Sequence, residues 1–371
     1  MARPYHPPVS VGRLDIDPDI RVAQTLPARV YSDPAAFALQ RERVFARTWQ
    51  YAGHDEVVNV VGQVFPFTLL PGTLEEPLLL TRDGDDRLHC VSNVCTHRGT
   101  LVVDGAGHLQ QLRCRYHGRR FGLDGRFHSM PEFERTANFP SKADDLPAVP
   151  LERLERFLMV ALAPAMAFDD VATPLRSRVA GLPFADLTFD PAAARDYLVE
   201  ANWALYVDNY LEGFHIPYVH SSLAATLDYG AYAVELERYT VLQLGVARPG
   251  ERAFGLPKDH RDAGRSIAAY YFWVFPTTMF NVYPWGVSVN VVTPLAVDRT
   301  RVSFLPFVWD ESARGEGAGS GLDRVEREDE AIVETVQRGL RSRLYDRGRY
   351  SPDREAGVHH FHRLLAEFMN G

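Results

Sequence analysis

The chain has 371 residues, longer than one typical domain, and its length predicts two domains. Hydrophobic residues make up 46% and charged residues 24%, which is typical of a globular protein with a sizeable core. The formal net charge of -8 argues against a nucleic-acid partner, because phosphate binding requires a basic surface. No apolar stretch is long enough to span a bilayer and no apolar signal core opens the chain, so we expect no membrane association and a cytoplasmic location.

The predicted elements fall into three segments. Residues 1–44 form a polar, Pro-rich arm with a short helix. Residues 45–165 predict a small all-β domain, because short β-like runs alternate with turn residues. Residues 166–371 mix helices with strands rich in aromatic and β-branched side chains, which indicates an antiparallel sheet. Strands are predicted at 57–61, 64–70, 77–81, 157–161, 268–275, 278–283, 287–292 and 302–308, and helices near 34–46, 203–214 and 325–340. The glycine-rich run 314–321 lacks a following Gly-Lys-Ser/Thr, so it predicts a flexible surface loop rather than a phosphate site.

Two of the three cysteines occur in paired metal-ligand motifs. Cys95-Thr96-His97 is followed, after sixteen intervening residues, by Cys114-Arg115-Tyr116-His117. Two thiolates and two imidazoles on neighbouring hairpin tips can bind one metal centre, and zinc would accept the same four ligands. The order Cys-x-His then Cys-x-x-His in a β domain favours an iron–sulfur cluster. The remaining cysteine, Cys90, lies outside the motif and is predicted to be a buried strand residue.

A second set of ligands follows a predicted helix. Asn202 suits its N-cap, and Asp208, Glu212 and His215 share one face at i, i+4 and i+7. Pro217 is predicted to end this helix, and His220 follows on the next loop. Two histidines held near a helix end can bind one metal ion.

A facial triad of ligands needs a carboxylate as its third member. On the predicted helix near residues 325–340, Asp329 falls within the apolar stripe, whereas Glu328, Glu330 and Glu334 are predicted to point away from it. A buried carboxylate is costly unless it is paired or bound to metal. Asp329 is therefore the predicted third ligand, beside His215 and His220.

Taken together, these motifs resemble the α subunits of the Rieske non-haem iron oxygenases. Most relatives have Pro directly after the second cysteine and Trp where Arg119 stands, so the second motif departs from the family pattern. Within the family, the chain most resembles choline monooxygenase and its relatives that act on quaternary ammonium compounds. The residues that carry this likeness are 208–220, 328–340, 348–350 and 357–362. Glu212 and the spacing before His215 are similar to the carnitine-type enzymes rather than to the plant choline enzymes.

The resemblance implies an α+β fold, in which an all-β [2Fe–2S] domain is inserted into a helix-grip catalytic domain with a large antiparallel sheet. It implies a cluster held by Cys95, His97, Cys114 and His117, and a mononuclear Fe(II) that activates O₂. Electrons would come from NADH or NADPH through a flavin and iron–sulfur reductase, with or without a ferredoxin. We expect a homotrimer in which Glu212, together with Asp208, has a catalytic role on the electron route between subunits.

Two other functions remain open on the sequence alone: a Rieske electron carrier with a degenerate second domain, and a zinc-binding structural protein. For an oxygenase, the dense aromatic residues predict a cage for a cationic substrate such as choline or a betaine. Strand alternation places Tyr271, Trp273 and Phe275 on one sheet face, and Trp273 is the first candidate for this cage. An aromatic substrate, hydroxylated on its ring or O-demethylated, is the alternative. The run His359-His360-x-His362 is predicted to pack or cap a helix rather than to bind metal.

Overall fold

The computed structural model describes residues 12–371, so the first eleven residues of the predicted N-terminal arm lie outside the described residues. The chain divides into two compact units. The smaller unit spans Ala46–Ala165, and the larger comprises the residues up to Phe45 together with Met166–Gly371. Along the sequence, the smaller unit therefore interrupts the larger one. Within the described residues, no helix is long and apolar enough to cross a membrane.

The smaller unit consists of short antiparallel strands. The strands are β1 Gln50–His54, β2 Gln63–Leu69, β3 Glu76–Arg82, β4 Leu88–Ser92, β5 Gly107–His108, β6 Leu112–Arg113, β7 Arg120–Phe121, β8 Phe127–Ser129, β9 Leu151–Leu154 and β10 Phe157–Val160. They form three sheets with the orders β1-β10-β9, β4-β3-β2-β5 and β6-β7-β8. A buried cluster joins the second and third of these sheets and includes Val64, Leu79, Val91 and Phe121.

The larger unit contains one antiparallel sheet with helices packed against it. Its strands are β11 Thr188–Phe189, β12 Arg195–Val199, β13 Ala233–Leu236, β14 Thr240–Val246, β15 Ile267–Val274, β16 Thr278–Tyr283, β17 Gly286–Ala296 and β18 Arg299–Val308. The sheet order is β11-β18-β17-β16-β15-β14-β13, and β12 also pairs with β18. The helices are α1 Arg29–Ser32, α2 Pro34–Arg43, α3 Asp169–Val179, α4 Trp203–Tyr210, α5 Ile216–Val219, α6 Ser221–Thr226, α7 Leu322–Gly339 and α8 Ala356–Asn370. Helix α4 packs against α7, α8 and strand β17, and this arrangement positions the candidate site.

The predicted α+β fold is confirmed, and most predicted strands and helices are present. One strand is wrong: Asp55–Val58 forms a 3₁₀ helix where residues 57–61 were predicted to be extended. Val60 and Val61 are both substantially exposed, so this run lacks the alternating burial of a strand. Cys90 lies buried in β4, as predicted.

The predicted helix near residues 203–214 is shorter than expected. Asn202 is its N-cap, and its side chain accepts a hydrogen bond from the backbone N–H of Ala204 at 3.0 Å, as predicted. The helix ends at Tyr210, so Glu212 and His215 lie beyond it. Pro217 does not end this helix but stands in the first turn of α5, where the absence of an N–H carries no cost.

Candidate active site

Three ligand atoms converge in the larger unit. The Nε2 atoms of His215 and His220 are 3.1 Å apart, and Asp329 Oδ1 lies 2.9 Å from His220 Nε2 and 3.5 Å from His215 Nε2. Metal–ligand bonds of about 2.1 Å at right angles separate two ligand atoms by about 3.0 Å. The three atoms therefore have the spacing of one face of a metal coordination sphere. Among the described residues, these three side chains form the group of histidine and acidic residues whose ligand atoms lie close enough together to hold a single ion.

The local fold explains how the two histidines come together. His215 directly precedes the one-turn helix α5, and His220 directly follows it. The two side chains are thus separated by one short turn, and their rings meet edge to face with centroids 5.0 Å apart. Asp329 comes from the middle of α7, which packs against α4. The structure therefore brings together the three residues that the sequence predicted as ligands, although His215 follows the preceding helix instead of lying on it.

A carboxylate holds the outer nitrogen of each histidine. Glu212 Oε1 lies 2.7 Å from His215 Nδ1, and Glu328 Oε2 lies 2.8 Å from His220 Nδ1. Such contacts fix the ring orientation and leave each Nε2 free to bind a metal. Burial lowers the pKa of His220, but its contacts with Asp329 and Glu328 outweigh that effect and raise it. The prediction that Glu328 points away from the site is wrong, because the turn of α7 presents it to the far side of the His220 ring.

A cavity of about 100 Å³ opens beside the three ligands. Its wall combines the ligands with aromatic, amide and apolar side chains, and the described residues that line it include no lysine or arginine. Five tyrosines contribute to the wall: Tyr206, Tyr210, Tyr232, Tyr271 and Tyr283. Burial raises the pKa of all five, so their rings are neutral at physiological pH.

Of the three predicted cage residues, only Tyr271 lines this cavity. Trp273 is fully buried, its Nε1–H donates to the carbonyl of Pro276 at 3.0 Å, and its ring packs edge to face on Phe361 of α8. Phe275 follows the end of β15 and packs against Phe368. The prediction for Trp273 and Phe275 is therefore wrong, because α8 covers this end of the strand.

A buried carboxyl group was not among the predicted pocket residues. Glu326 lies on α7 one turn before Asp329, lines the cavity and is only 2% exposed. Its Oε2 accepts a hydrogen bond from the Tyr206 hydroxyl at 2.6 Å, whereas its buried Oε1 has no hydrogen-bond partner among the described residues. Burial raises its pKa well above the usual value. Its position one turn from Asp329 was the signal that could have identified it.

The glycine-rich run 314–321 is also closer to the site than predicted. Ala318 lines the cavity, and Ala318 and Gly319 are buried. A Cβ atom at Gly319 would lie only 2.3 Å from the indole Nε1 of Trp285. The segment therefore packs closely against the sheet and is not a flexible surface loop. Glycine is required at this position because the backbone approaches the indole so closely.

Asp208, the second predicted catalytic residue, belongs to a buried hydrogen-bond network. Its carboxylate accepts a hydrogen bond from the Tyr31 hydroxyl at 2.9 Å and lies 2.8 Å from His362 Nε2. The other ring nitrogen of His362 lies 2.6 Å from the Tyr350 hydroxyl. His362 thus connects α8 to α4, in agreement with the predicted packing role of the C-terminal histidines.

The Cys-x-His and Cys-x-x-His motifs form two similar loops in the smaller unit. In each loop, a glycine N–H donates to the cysteine carbonyl at 3.0 Å, from Gly99 to Cys95 and from Gly118 to Cys114. Both glycines have left-handed backbone angles, with φ of 74° and 75°, which other residues rarely adopt. This left-handed angle explains why a glycine follows the histidine in each motif.

The side chains of these loops fit an iron–sulfur cluster. Both cysteines are buried and free of disulfides, and the His97 and His117 rings lie 4.8 Å apart. His97 Nδ1 is buried without a hydrogen-bond partner in the described residues, so a ligand atom is available there. Two thiolates and two imidazoles are the donor set of a Rieske [2Fe–2S] centre.

Comparison with known families decides between the functions that the sequence left open. Residues 184–371 match the model of the ring hydroxylating alpha subunit (catalytic domain), and residues 48–140 match that of the Rieske [2Fe-2S] domain. The chain belongs to the Rieske non-haem iron oxygenases. It is therefore an oxidoreductase that incorporates molecular oxygen, with a [2Fe–2S] cluster, a mononuclear iron and electrons supplied by a reductase. The family assignment excludes the electron-carrier and zinc-protein alternatives.

Several relatives of this Rieske oxygenase are similar over almost the whole chain. Choline monooxygenase from Beta vulgaris is 30% identical over 367 residues, covering 96% of this chain and 80% of the relative. The carnitine monooxygenase oxygenase subunit from Escherichia coli (strain K12) is 31% identical over 366 residues, covering 93% and 94%. A solved quaternary ammonium Rieske monooxygenase, described in connection with carnitine oxidation and inter-subunit electron transfer, has 25% identity and a TM-score of 0.76, covering 95% of this chain and 97% of that chain.

Proposed function

We propose that His215, His220 and Asp329 bind the mononuclear iron, and that Cys95, His97, Cys114 and His117 bind the cluster. We also propose the domain assignment that goes with these sites: an N-terminal arm over 1–44, a Rieske domain over 45–165 and a catalytic domain over 166–371. The observation that carries the iron site is the triangle of 2.9 to 3.5 Å between two imidazole nitrogens and a carboxylate oxygen. When bound there, the iron activates O₂.

The two metal sites can be tested separately because their ligands lie in different units. His215→Ala or Asp329→Ala should lose the mononuclear iron, about one third of the total iron, and all oxygenation. Both variants should keep the Rieske absorption and electron paramagnetic resonance signals. Glu334→Ala is the matched control, because this carboxylate of α7 accepts a hydrogen bond from the backbone N–H of Glu200 and does not contact either histidine. Full iron content and turnover in Asp329→Ala would contradict the assignment, and Glu326 would then be the next carboxylate to test.

We propose that Glu212 lies on the electron route to the iron. Its carboxylate lies 2.7 Å from His215 Nδ1, and its side chain is still 14% exposed. Glu212 can therefore connect the iron ligand to an electron donor outside this unit. Asp208, four residues earlier in the sequence and 20% exposed, is the second acid that we assign to this route. The solved relative is described by inter-subunit electron transfer. We propose the same arrangement here, in a homotrimer supplied by a flavin and iron–sulfur reductase that draws on NADH or NADPH, directly or through a ferredoxin.

Transfer between subunits has a direct test in mixed oligomers. Cys114→Ser should remove the cluster, and His215→Ala should remove the mononuclear iron, so each variant alone is inactive. Oligomers that contain both variants should regain part of the activity, because a cluster in one subunit reduces the iron of its neighbour. Glu212→Gln should slow turnover strongly even when excess iron keeps both metal sites loaded. Full activity of a monomer, or no recovery in mixed oligomers of the correct size, would contradict the proposal.

We propose that the substrate is a quaternary ammonium compound. Five tyrosine rings and the buried Glu326 carboxyl group line the cavity, and aromatic faces attract such a cation by up to about 2 kcal/mol each when desolvated. The curated relatives act on choline and carnitine, as their names state. A carboxylate on the substrate would find no basic side chain among the described lining residues. This supports a choline-like cation over a betaine or carnitine.

An aromatic substrate is the second candidate, because the same tyrosine rings could stack on it without any charge. Oxygen uptake coupled to a surrogate reductase distinguishes the two classes. Choline, glycine betaine, carnitine and stachydrine should be compared with benzoate-like and phenolic compounds. Coupled uptake with choline or another quaternary ammonium compound, and not with the aromatic compounds, supports the cation. Coupled uptake only with uncharged or anionic aromatic compounds would overturn it.

A further inference from the structure

Arg119 is a buried charge in the smaller unit. Its side chain is only 2% exposed. Three phenylalanine rings surround the guanidinium, with their centroids 5.7, 4.9 and 5.5 Å from Cζ for Phe121, Phe127 and Phe139. One guanidinium nitrogen donates to Asp144 Oδ1 at 2.6 Å and to the Asp144 carbonyl at 3.1 Å.

The pairing with Asp144 compensates only part of the cost of burying this charge. Burying an ion costs several kcal/mol unless its partner and its hydrogen bonds are complete. Arg119 Nε is buried without a hydrogen-bond partner in the described residues. The Asp144 side chain is 19% exposed, so water screens the carboxylate more than the guanidinium. The environment of Arg119 therefore keeps an excess of positive charge.

That charge lies within the cluster-binding loops. The backbone carbonyl of Arg119 accepts a hydrogen bond from the N–H of Cys114 at 2.8 Å. The hydroxyl of Thr96, in the first loop, donates to the carbonyl of Asp144 at 2.8 Å. The Arg119–Asp144 pair thus contacts both loops.

We propose that the positive charge of Arg119 raises the reduction potential of the Rieske cluster. One-electron reduction by the reductase adds one negative charge to the cluster, with no bond made or broken in the protein. A fixed positive charge beside the ligand loops stabilises the reduced form, and low solvent exposure preserves that effect. The inference rests on the proposed cluster ligands and concerns electron supply rather than the substrate.

The test is a redox titration of the holoenzyme, monitored by the visible circular dichroism of the cluster. Arg119→Gln should lower the equilibrium constant for reduction at least tenfold, equivalent to about 59 mV for one electron. Asp144→Asn should change the potential in the opposite direction, since it removes the opposing charge. Arg119→Lys should lie between Arg119→Gln and the unchanged protein. Arg120→Gln, an exposed neighbour, should have a much smaller effect that disappears at high salt.

Opposite shifts distinguish a charge effect from damage to the loops. Each variant should retain its cluster iron and sulfide and its electron paramagnetic resonance g values. If Arg119→Gln cannot hold a cluster, Arg119→Lys and Asp144→Asn decide the matter. An unchanged potential in a fully loaded Arg119→Gln protein, or a fall in both Arg119→Gln and Asp144→Asn, would overturn the proposal. A protein without any Rieske signal would instead contradict the cluster assignment.

Discussion

Trp273 and Tyr271 lie two residues apart on β15, and the structure gives them different roles. Trp273 is fully buried between sheet and helix, in contact with Phe361 and Phe275, and it donates one hydrogen bond to the Pro276 carbonyl. Tyr271 lines the cavity beside the three ligands. Trp273→Ala should therefore reduce stability, whereas Tyr271→Ala should weaken binding of a cationic substrate.

The expected magnitudes separate the two effects. Removing a buried Trp costs about 3–5 kcal/mol of unfolding free energy. For a unit of this size, each kcal/mol lowers Tm by about 2–4 °C, so Trp273→Ala should lower Tm by about 10 °C. Its affinity for choline, measured below that temperature, should stay within about twofold. Loss of one aromatic face in Tyr271→Ala should weaken binding by up to about 2 kcal/mol, or about thirtyfold.

Thermal unfolding followed by near-ultraviolet circular dichroism gives the first quantity, and calorimetric titration with choline gives the second. Tyr218→Ala is the aromatic control, because that side chain is 81% exposed and does not line the cavity. It should change neither value. A Trp273→Ala protein with unchanged Tm and abolished binding would refute the assignment of Trp273 to the core.

Three further predictions follow from single contacts. Glu328→Gln should weaken iron binding about tenfold to a hundredfold, because it loosens the His220 ring. Competition with a chelator measures the iron affinity, and the control Glu334→Gln should leave that affinity unchanged. Burial raises the pKa of Cys90 to about 12, so only about 10⁻⁴ of it is thiolate at pH 8, and iodoacetamide should label it after unfolding but not before. Asn202→Ala should cost about 1–2 kcal/mol of stability in chemical denaturation, because it removes the N-cap of α4.

The sequence predicted the parts of the site that depend on residue type and spacing. The N-cap at Asn202 and the group of His215, His220 and Asp329 follow from local chemistry, since few other side chains can hold a metal and the apolar stripe orients α7. The choice of Asp329 over its acidic neighbours followed the helical period and stays a prediction. The N-cap and the two histidines depend on one helix and one short turn, whereas the approach of Asp329 to them depends on the packing of α7 against α4.

The predictions that were wrong depend on packing between distant segments. Alternation places Trp273 on the same face as Tyr271, but it cannot show that α8, almost ninety residues later, covers Trp273. The orientation of Glu328 depends in the same way on where the His220 ring lies, on a loop more than a hundred residues earlier. Helix α4 ends early because the turn through Glu212 brings its carboxylate back onto His215, with the His215 N–H at 3.0 Å from Oε2.

The acids of α7 show how one helix can assign different roles to neighbouring carboxyl groups. Glu328 and Asp329 are consecutive but differ in role: Glu328 Oε2 lies 2.8 Å from His220 Nδ1 and holds the ring, whereas Asp329 Oδ1 lies 2.9 Å from His220 Nε2, at the spacing of two ligands of one ion. Glu326, one turn earlier, is instead bonded to Tyr206 and turned to the cavity. His215 is held by Glu212 from its own turn. Because α7 carries both Glu328 and Asp329, a displacement of α7 would move the partner of His220 Nδ1 and the third proposed ligand together. Glu212 would still hold His215.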